Sequence, residues 1–309
     1  MKVEDIDKVI RKATIILTII IGLLIAGCTN SDNKEFEASF KGTVDHVHGM
    51  GYAGDDNGLY FATHTGLKIY RDGTWFETTK NNNDYMGFNA VDKGFYTSGH
   101  PGKDSDLPNP IGIQRSFDGG RTLESLKFEG ETDFHAMAVG YQSHDIFLMN
   151  PSKNSELEVG LYLSTDDTKS WESVEASGLE GDILALAIHP TDSNYVAAAT
   201  STGVYISKDA GTSFEIITDS AQGTAVFFNE ENLYYASYGT VPSLVKHNLT
   251  NGEEEKINLP DLTEDGPVYI AQNPQNAQEI AIYTVKGQAY LSNDGGETWN
   301  QLLENGKVK

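Results

Sequence analysis

The sequence predicts an all-β protein, a β-propeller of about six four-stranded blades, with seven blades as the alternative. Three observations support this. An octet of residues recurs at nearly constant spacing, apolar runs of strand length follow one another, and no segment has the apolar period of an amphipathic helix. A repeat of roughly 45 residues is the length of one four-stranded propeller blade. A chain of 309 residues is also long enough to bury a substantial core.

The octet has the pattern Ser-x-Asp-x-Gly-x-Thr-Trp, and its clearest copy occupies residues 292–299. Further copies begin at Ser116, Ser164 and Ser207, and a degenerate first copy begins at Arg71. The aspartates of the five copies are Asp72, Asp118, Asp166, Asp209 and Asp294, separated by 46, 48, 43 and 85 residues. The last interval covers two repeats, so a lost copy is expected within 246–252. Six units then fill residues 43–309.

The fourth unit shows how the strands are predicted within one repeat. Its continuous apolar run at 183–188 is typical of an inner strand, and 195–199, 203–206 and 214–217 supply the other three. The segment 36–40 is expected either to complete the last blade or to form no strand.

The octets resemble the Asp-box, or BNR, repeat of the sialidase and sortilin type, and the resemblance covers nearly all of residues 43–309. It implies that the aspartates are structural, because Asp and Ser side chains can accept the backbone N–H groups of a tight turn and Gly supplies a positive φ. Bacterial lipoproteins that resemble this chain are often labelled glycosyl hydrolases. The resemblance does not imply a sialidase, since that mechanism needs three arginines at the substrate. After Cys28 only Arg71, Arg115 and Arg121 remain, all beside octets.

The N-terminus predicts a lipoprotein signal peptide over residues 1–27. Basic residues precede an apolar run at 13–27 that is shorter than the roughly 20 residues needed to span a bilayer. The run ends in Leu-Ile-Ala-Gly-Cys, which resembles the bacterial lipobox, so Cys28 is the expected site of lipid attachment. Residues 28–42 then form a polar tether before the propeller at 43–309. An extracytoplasmic protein, anchored to the cell membrane by its lipid, is expected; an ordinary membrane anchor is the alternative.

The charge and the cysteine content exclude several classes of function. Asp and Glu total 45 against 22 Lys and Arg, a net charge of −23. Nucleic-acid binding requires a basic surface, so nucleic acid is excluded as a partner. The single cysteine excludes disulfides and cysteine-rich metal sites.

Propeller topology assigns the histidines to faces. The inner strands begin at one face, which also carries the turns between the second and third strands of each blade, whereas the octets lie at the opposite face. Five of the eight histidines map to the first face over three neighbouring units, namely His46, His48, His64, His100 and His135. Alternation along a strand should place His46 and His48 on the same side. Neutral imidazoles suit a borderline divalent metal such as Zn, Mn or Cu, so these five are the candidate metal ligands. His144, His189 and His247 are expected to be surface residues.

Acidic residues precede five inner strands and are expected to surround the mouth of the central channel: Asp45, Asp84, Asp133, Asp182 and Asp265. With the histidines they suggest catalytic candidates, namely Asp45, His48, Asp133 and His135. Two long loops, 101–110 and 151–158, should overhang this sector. The structural alternative is turn chemistry for the acids and hydrogen-bonded packing for the histidines.

Two functions stay open. The first is a binding propeller that holds a divalent metal or a small-molecule, saccharide or protein ligand on its histidine-rich face. The second is a glycoside hydrolase or lyase that acts on an extracellular saccharide. The sequence does not decide whether the protein is an enzyme.

Overall fold

A computed structural model describes residues 36–54, 56–218 and 221–309, and Ala38–Lys309 form one compact unit. This unit is an all-β propeller of six antiparallel sheets, which confirms the predicted fold class. The predicted signal peptide, Cys28 and most of the tether lie outside the described residues. Within the described ranges, no helix is long and apolar enough to cross a membrane.

Each blade places its strands in sequence order from the axis outward. The first contains β2 (Val47–Tyr52), β3 (Leu59–Thr63), β4 (Gly66–Arg71) and β5 (Thr74–Thr78), with β1 (Glu37–Ser39) beside β5. The second contains β6 (Asp84–Val91), β7 (Gly94–His100), β8 (Ile113–Ser116) and β9 (Glu124–Lys127). The third contains β10 (Met137–Val139), β11 (Ile146–Asn150), β12 (Gly160–Ser164) and β13 (Glu172–Val174).

The other three blades repeat this order. The fourth contains β14 (Ile183–Ile188), β15 (Val196–Thr200), β16 (Gly203–Ser207) and β17 (Glu215–Ile216). The fifth contains β18 (Gln222–Phe228), β19 (Asn232–Tyr238), β20 (Pro242–Asn248) and β21 (Glu254–Ile257). The sixth contains β22 (Pro267–Asn273), β23 (Asn276–Thr284), β24 (Ala289–Ser292), β25 (Asn300–Glu304) and β26 (Lys307–Val308).

The second strands of the first and fourth blades are fully buried, because sheets pack against both of their faces. All five residues of β3 and of β15 are buried. Such strands are expected to be continuously apolar rather than alternating, and Val-Ala-Ala-Ala-Thr in β15 follows this rule. Its small side chains let neighbouring sheets approach closely.

Four octets form the same hydrogen-bonded turn. In the last copy, the Ser292 hydroxyl accepts the N–H of Gly296 at 2.8 Å, and Asp294 Oδ1 accepts the N–H of Thr298 at 2.9 Å. The Thr298 hydroxyl donates to the other oxygen of Asp294. The aspartates of the equivalent turns make the same contacts: Asp118, Asp166 and Asp209.

The degenerate first copy is different. Asp72 and Gly73 form a two-residue hairpin turn between β4 and β5, with φ values of 52° and 75°. Asn-Gly or Asp-Gly is favoured in such turns because both positions need a positive φ. In the fifth blade, where a copy was expected within 246–252, the Asn248 side chain accepts the N–H groups of Thr250 and Asn251 instead.

The ring closes through segments near both ends of the described chain. Thr43 pairs with Lys307, and the Val44 N–H donates to Gly306 O at 2.8 Å, so this segment extends the sixth sheet beyond β26. Both expectations for 36–40, that it completes the last blade or forms no strand, are wrong, because β1 is a strand at the outer edge of the first sheet. Pairing across the start and end of the ring fixes the sixth blade beside the first.

Candidate functional site

The candidate site lies where the inner strands begin, at the face that we call the histidine face. It also carries the turns between the second and third strands of each blade. The octets lie at the opposite face. The arrangement on the histidine face depends on β-bulges, in which one strand carries an extra residue against its partner.

Four inner strands carry such a bulge at the same position. In the first blade, Val47 pairs with Thr63 and Gly49 with Ala62, so His48 is the extra residue. The registers of the fourth, fifth and sixth blades identify the equivalent residues as Leu184, Thr224 and Val268. Bulges are common beside functional sites because they redirect a side chain.

The second and third blades complete this pattern. The register of β6 shifts between Met86 and Asn89, and within this shift Gly87 has a φ of 52°. In the third blade the Met149 N–H donates to Ala136 O, which puts His135 at the position equivalent to His48. We call these six positions the bulge ring; its members are His48, Gly87, His135, Leu184, Thr224 and Val268. Its imidazoles lie in the first and third blades and its large aliphatic side chains in the fourth and sixth.

His48 and His64 face each other, with Asp84 behind His64. The two Nε2 atoms lie 3.3 Å apart, and His64 Nδ1 lies 2.8 Å from Asp84 Oδ2. One ligand atom from each of the three residues can be chosen so that all lie within 4.8 Å of one another. The contact with Asp84 favours a proton on His64 Nδ1 and leaves Nε2 as the free lone pair. We call these residues the His48 triad.

Burial lowers the pKa of His48 below its usual value, and the neighbouring His64 lowers it further, whereas Asp84 acts in the opposite direction. The lowered pKa favours the neutral imidazole, the form that binds metals. Asp84 Oδ1 is buried and accepts no hydrogen bond from the described residues. An unpaired buried carboxylate oxygen is costly, so this oxygen is available to a cation.

The other two histidines gather around Asp133. Asp133 Oδ2 lies 2.5 Å from His135 Nε2 and 3.3 Å from His100 Nε2. His100 Nδ1 is in turn 2.7 Å from the Asn109 side chain, in the long loop 101–110. We call His100, Asp133 and His135 the His100 triad. The structure thus divides the five predicted histidines into two groups, one on the first blade and one on the second and third.

His46 and Asp45 occupy different positions from those expected. His46 precedes β2, outside the alternating strand, and has a φ of 42°, which is uncommon for a residue other than glycine. Its ring nevertheless lies 5.0 Å from the ring of His64, centre to centre. Asp45 is exposed at the preceding turn, and the carboxylate that contacts His64 is Asp84.

The predicted ring of five acids is only partly formed. Asp265 is 4% exposed and structural, because its carboxylate accepts the Thr284 hydroxyl at 2.6 Å and the Lys286 N–H at 3.0 Å. Asp182 lies at the expected edge and is exposed. Of these five acids, Asp84 and Asp133 have described contacts with histidines on this face.

The expectation of surface histidines is wrong for His189, which is 7% exposed and lies close to the backbone oxygen of Glu230. The His144 side chain is only 17% exposed and pairs with Asp92 at 2.6 Å. His247 is half-buried beside Glu254.

A cavity of about 550 Å³ follows the axis, and every blade contributes to its wall. His48 and His135 line it at the histidine face, whereas Glu230, Glu231 and Asn273 line it near the opposite face. Its middle is largely apolar, with side chains such as Met50, Phe88, Met137, Leu186, Val226 and Ile270. Sequence reasoning missed this cavity and its aliphatic bulge residues, because only the register of the inner strands identifies them.

The two long loops pack beside the His100 triad. Loop 101–110 supplies Asn109 to His100. In loop 151–158, the Ser155 N–H donates to Glu131 at 2.7 Å, and the Asn154 amide donates to Thr132 at 3.0 Å. Glu131 and Thr132 directly precede Asp133. Loop 151–158 therefore supports Asp133, and loop 101–110 supports His100.

Comparison with known proteins identifies the fold alone. No protein-family model and no curated protein matches the chain. Among solved structures, the GH74 enzyme of Niastella koreensis superposes with a TM-score of 0.55 at 18% identity, over 88% of this chain and 47% of the enzyme. The extracellular domain of a putative hybrid two-component system from B. thetaiotaomicron gives 0.54 at 14% identity, over 88% of this chain and 35% of that one.

A third similar structure, YCF48 bound to D1 peptide, has a TM-score of 0.51 at 15% identity, over 87% of this chain and 85% of that chain. The chain thus spans less than half of the Niastella enzyme and of the two-component domain. At these identities, the similarity establishes a β-propeller and does not transfer an activity.

Proposed function

We propose that the protein is an extracytoplasmic binding propeller that holds a divalent metal ion at the mouth of its central channel through the His48 triad. The observation that carries this proposal is the 3.3 Å separation of the His48 and His64 Nε2 atoms. Two nitrogen ligands on a tetrahedral zinc ion, each about 2.0–2.1 Å from the metal, are roughly 3.3 Å apart. The imidazoles are therefore spaced for simultaneous coordination.

The surroundings of the two nitrogens suit this role. Burial lowers the pKa of His48, which favours its neutral form, and the contact with Asp84 orients His64 with its Nε2 towards His48. A carboxylate behind a metal-binding histidine is a common arrangement, since it fixes the ring and increases its basicity. Imidazole with carboxylate suits Zn, Mn or Cu. Two or three protein ligands leave coordination positions open to a ligand from solution.

Calorimetric titration of metal-stripped protein with Zn²⁺ tests the proposal. One equivalent should bind to the wild type, and His64→Ala should weaken binding at least tenfold because it removes a ligand. His144→Ala is the matched control, since His144 pairs with Asp92 away from the triad. Less than stoichiometric binding by the wild type, or equal losses in the two variants, would contradict a zinc site here. Repeating the titration with Mn²⁺ and Cu²⁺ tests the other two ions.

A hydrolase or lyase that acts on an extracellular saccharide is the second candidate. The contact between Asp133 Oδ2 and His135 Nε2 favours it, because a carboxylate can orient and polarise an imidazole that moves a proton. If this candidate is correct, the protein cleaves members of a polysaccharide panel and Asp133→Asn lowers turnover at least a hundredfold. No cleavage by the wild type would count against it.

The proposed location of the protein rests on its N-terminal sequence. We propose that residues 1–27 direct export and that a lipid on Cys28 anchors the propeller at the outer side of the cell membrane. The similarity to an extracellular domain is compatible with this proposal.

A further inference from the structure

The wall of the axial cavity, together with the imidazoles and the aliphatic side chains of the bulge ring, indicates the class of ligand. We infer that the channel binds a small amphipathic carboxylate, with its apolar body inside the channel and its head group at His48 and His135. This inference deepens the proposed function, because the head group would occupy an open position on the metal. It names the ligand that the metal would hold.

The first observation concerns the two aliphatic residues of the bulge ring, Leu184 and Val268. Leu184 is 49% exposed, although it lies on an inner strand and lines the cavity. Its bulge presents the side chain to the channel instead of to the neighbouring sheet, and Val268 lies at the equivalent position in the sixth blade. Leaving a large aliphatic side chain in contact with water forfeits its burial energy, which an apolar ligand would recover.

The second observation concerns the volume and the wall of the cavity. A volume of about 550 Å³ lies within the roughly 300–1,000 Å³ that is usual for small-molecule sites. Below the ring the wall is formed by Phe88, Leu186, Val226 and Ile270. Asn89 also lies in the wall, but its polar atoms already have protein partners. Its amide donates to Met137 O at 2.9 Å, and its oxygen accepts the Val139 N–H. The cavity is therefore suited to an apolar body.

The difference between the two mouths fixes the orientation of the ligand. Imidazoles of His48 and His135 line one mouth, and exposed carboxylates of Glu230 and Glu231 line the other. A carboxylate head is repelled by the acidic mouth, whereas a metal ion bound at the His48 triad attracts it. An aliphatic amine would show the reverse preference, so charge decides between these two kinds of head group.

Titration with a homologous series tests the inference. Butanoate, hexanoate and octanoate are titrated by calorimetry into zinc-loaded and metal-free protein. If the chain enters the channel, Kd should fall by up to about fourfold per methylene, or roughly a hundredfold from butanoate to octanoate when some methylenes stay partly hydrated. A Kd that does not depend on chain length, or octylamine binding more tightly than octanoate, would overturn the inference.

Leu184→Asp should weaken the binding of octanoate at least tenfold and leave zinc binding unchanged, because it places a carboxylate beside the expected position of the apolar chain. Val285→Asp is the matched control, since Val285 is 70% exposed and is not among the residues that line the cavity. Equal effects of the two substitutions would contradict the assignment.

The two proposals fail separately. Zinc binding without a chain-length effect would overturn the channel inference and leave the metal site standing. A chain-length effect in protein that binds no metal would overturn the metal site and support the channel as an apolar binding site.

Discussion

His48 and His64 bring their Nε2 atoms to 3.3 Å, although one side chain comes from a bulge in an inner strand and the other from the turn between β3 and β4. Asp84, at the start of the next blade, holds the far side of the His64 ring. The first blade supplies both histidines and the second supplies Asp84, so the geometry of the triad depends on how the two blades pack around the axis.

Asp84→Asn should lower the zinc affinity 10- to 100-fold while the thermal unfolding temperature of the metal-free protein changes little. The amide keeps the shape of the carboxylate but loses the charge that orients and polarises His64. Asp182→Asn is the matched control, because Asp182 precedes the inner strand of the fourth blade and is exposed. Calorimetry that gives both variants the wild-type affinity would exclude Asp84 from the site.

The octet aspartates predict a loss of stability in acid. Hydrogen bonds from the Thr298 side chain and backbone lower the pKa of Asp294 from 3.8 to about 2. Equivalent bonds from Ser170 and Ser213 lower the pKa of Asp166 and Asp209. Burial raises the pKa of Asp118, but the hydrogen bonds from Thr122 and Ser116 and the charge of Arg121 together lower it below its usual value.

Because these pKa values are lower in the folded state, their contribution is fully present above pH 4 and is lost as the pH falls towards 2. Urea unfolding at intervals from pH 5 to pH 2 should show stability falling over this range. Asp294→Asn should reduce the slope, because it removes a carboxylate whose pKa the turn lowers. A slope that is the same in Asp294→Asn and the wild type would contradict this origin.

Thr224 carries a buried hydroxyl that has no hydrogen-bond partner among the described residues. Thr224→Val should therefore stabilise the protein by about 1 kcal/mol, because it replaces an unpaired polar group with a methyl group. Thr97→Val is the contrasting control: Thr97 is fully buried and its hydroxyl donates to Met86 O at 2.9 Å. This variant should lose about 1–3 kcal/mol. Denaturant unfolding measures both values, and destabilisation by Thr224→Val would indicate that the hydroxyl is hydrogen-bonded in solution.

Cys28→Ala should release the protein from the membrane fraction, because the substitution removes the predicted attachment point of the lipid. Ser31→Ala, three residues later in the tether, is the control and should stay membrane-bound. Fractionation with detection of the propeller measures this directly. A Cys28→Ala protein that stays in the membrane fraction would support the alternative of an ordinary membrane anchor.

The sequence by itself determined the propeller and the face on which the histidines lie. Copies of the octet occur in five of the six blades, and four of them form a local turn that needs only its own hydrogen bonds. Once these turns are placed at one face, the chain must cross between faces with each strand. His64 and His100, at the far ends of the second strands, then fall on the other face.

Only the tertiary structure decided which residues meet. Alternation along a strand could not identify His48 as a bulge residue or His135 as its equivalent, because a bulge is a property of two paired strands. The sequence also could not show that Asp84, rather than Asp45, contacts a histidine, since that contact crosses from one blade to the next. The apolar channel has the same origin: six inner strands bring Leu184 and Val268 to one mouth, and their spacing is set by how the sheets pack around the axis.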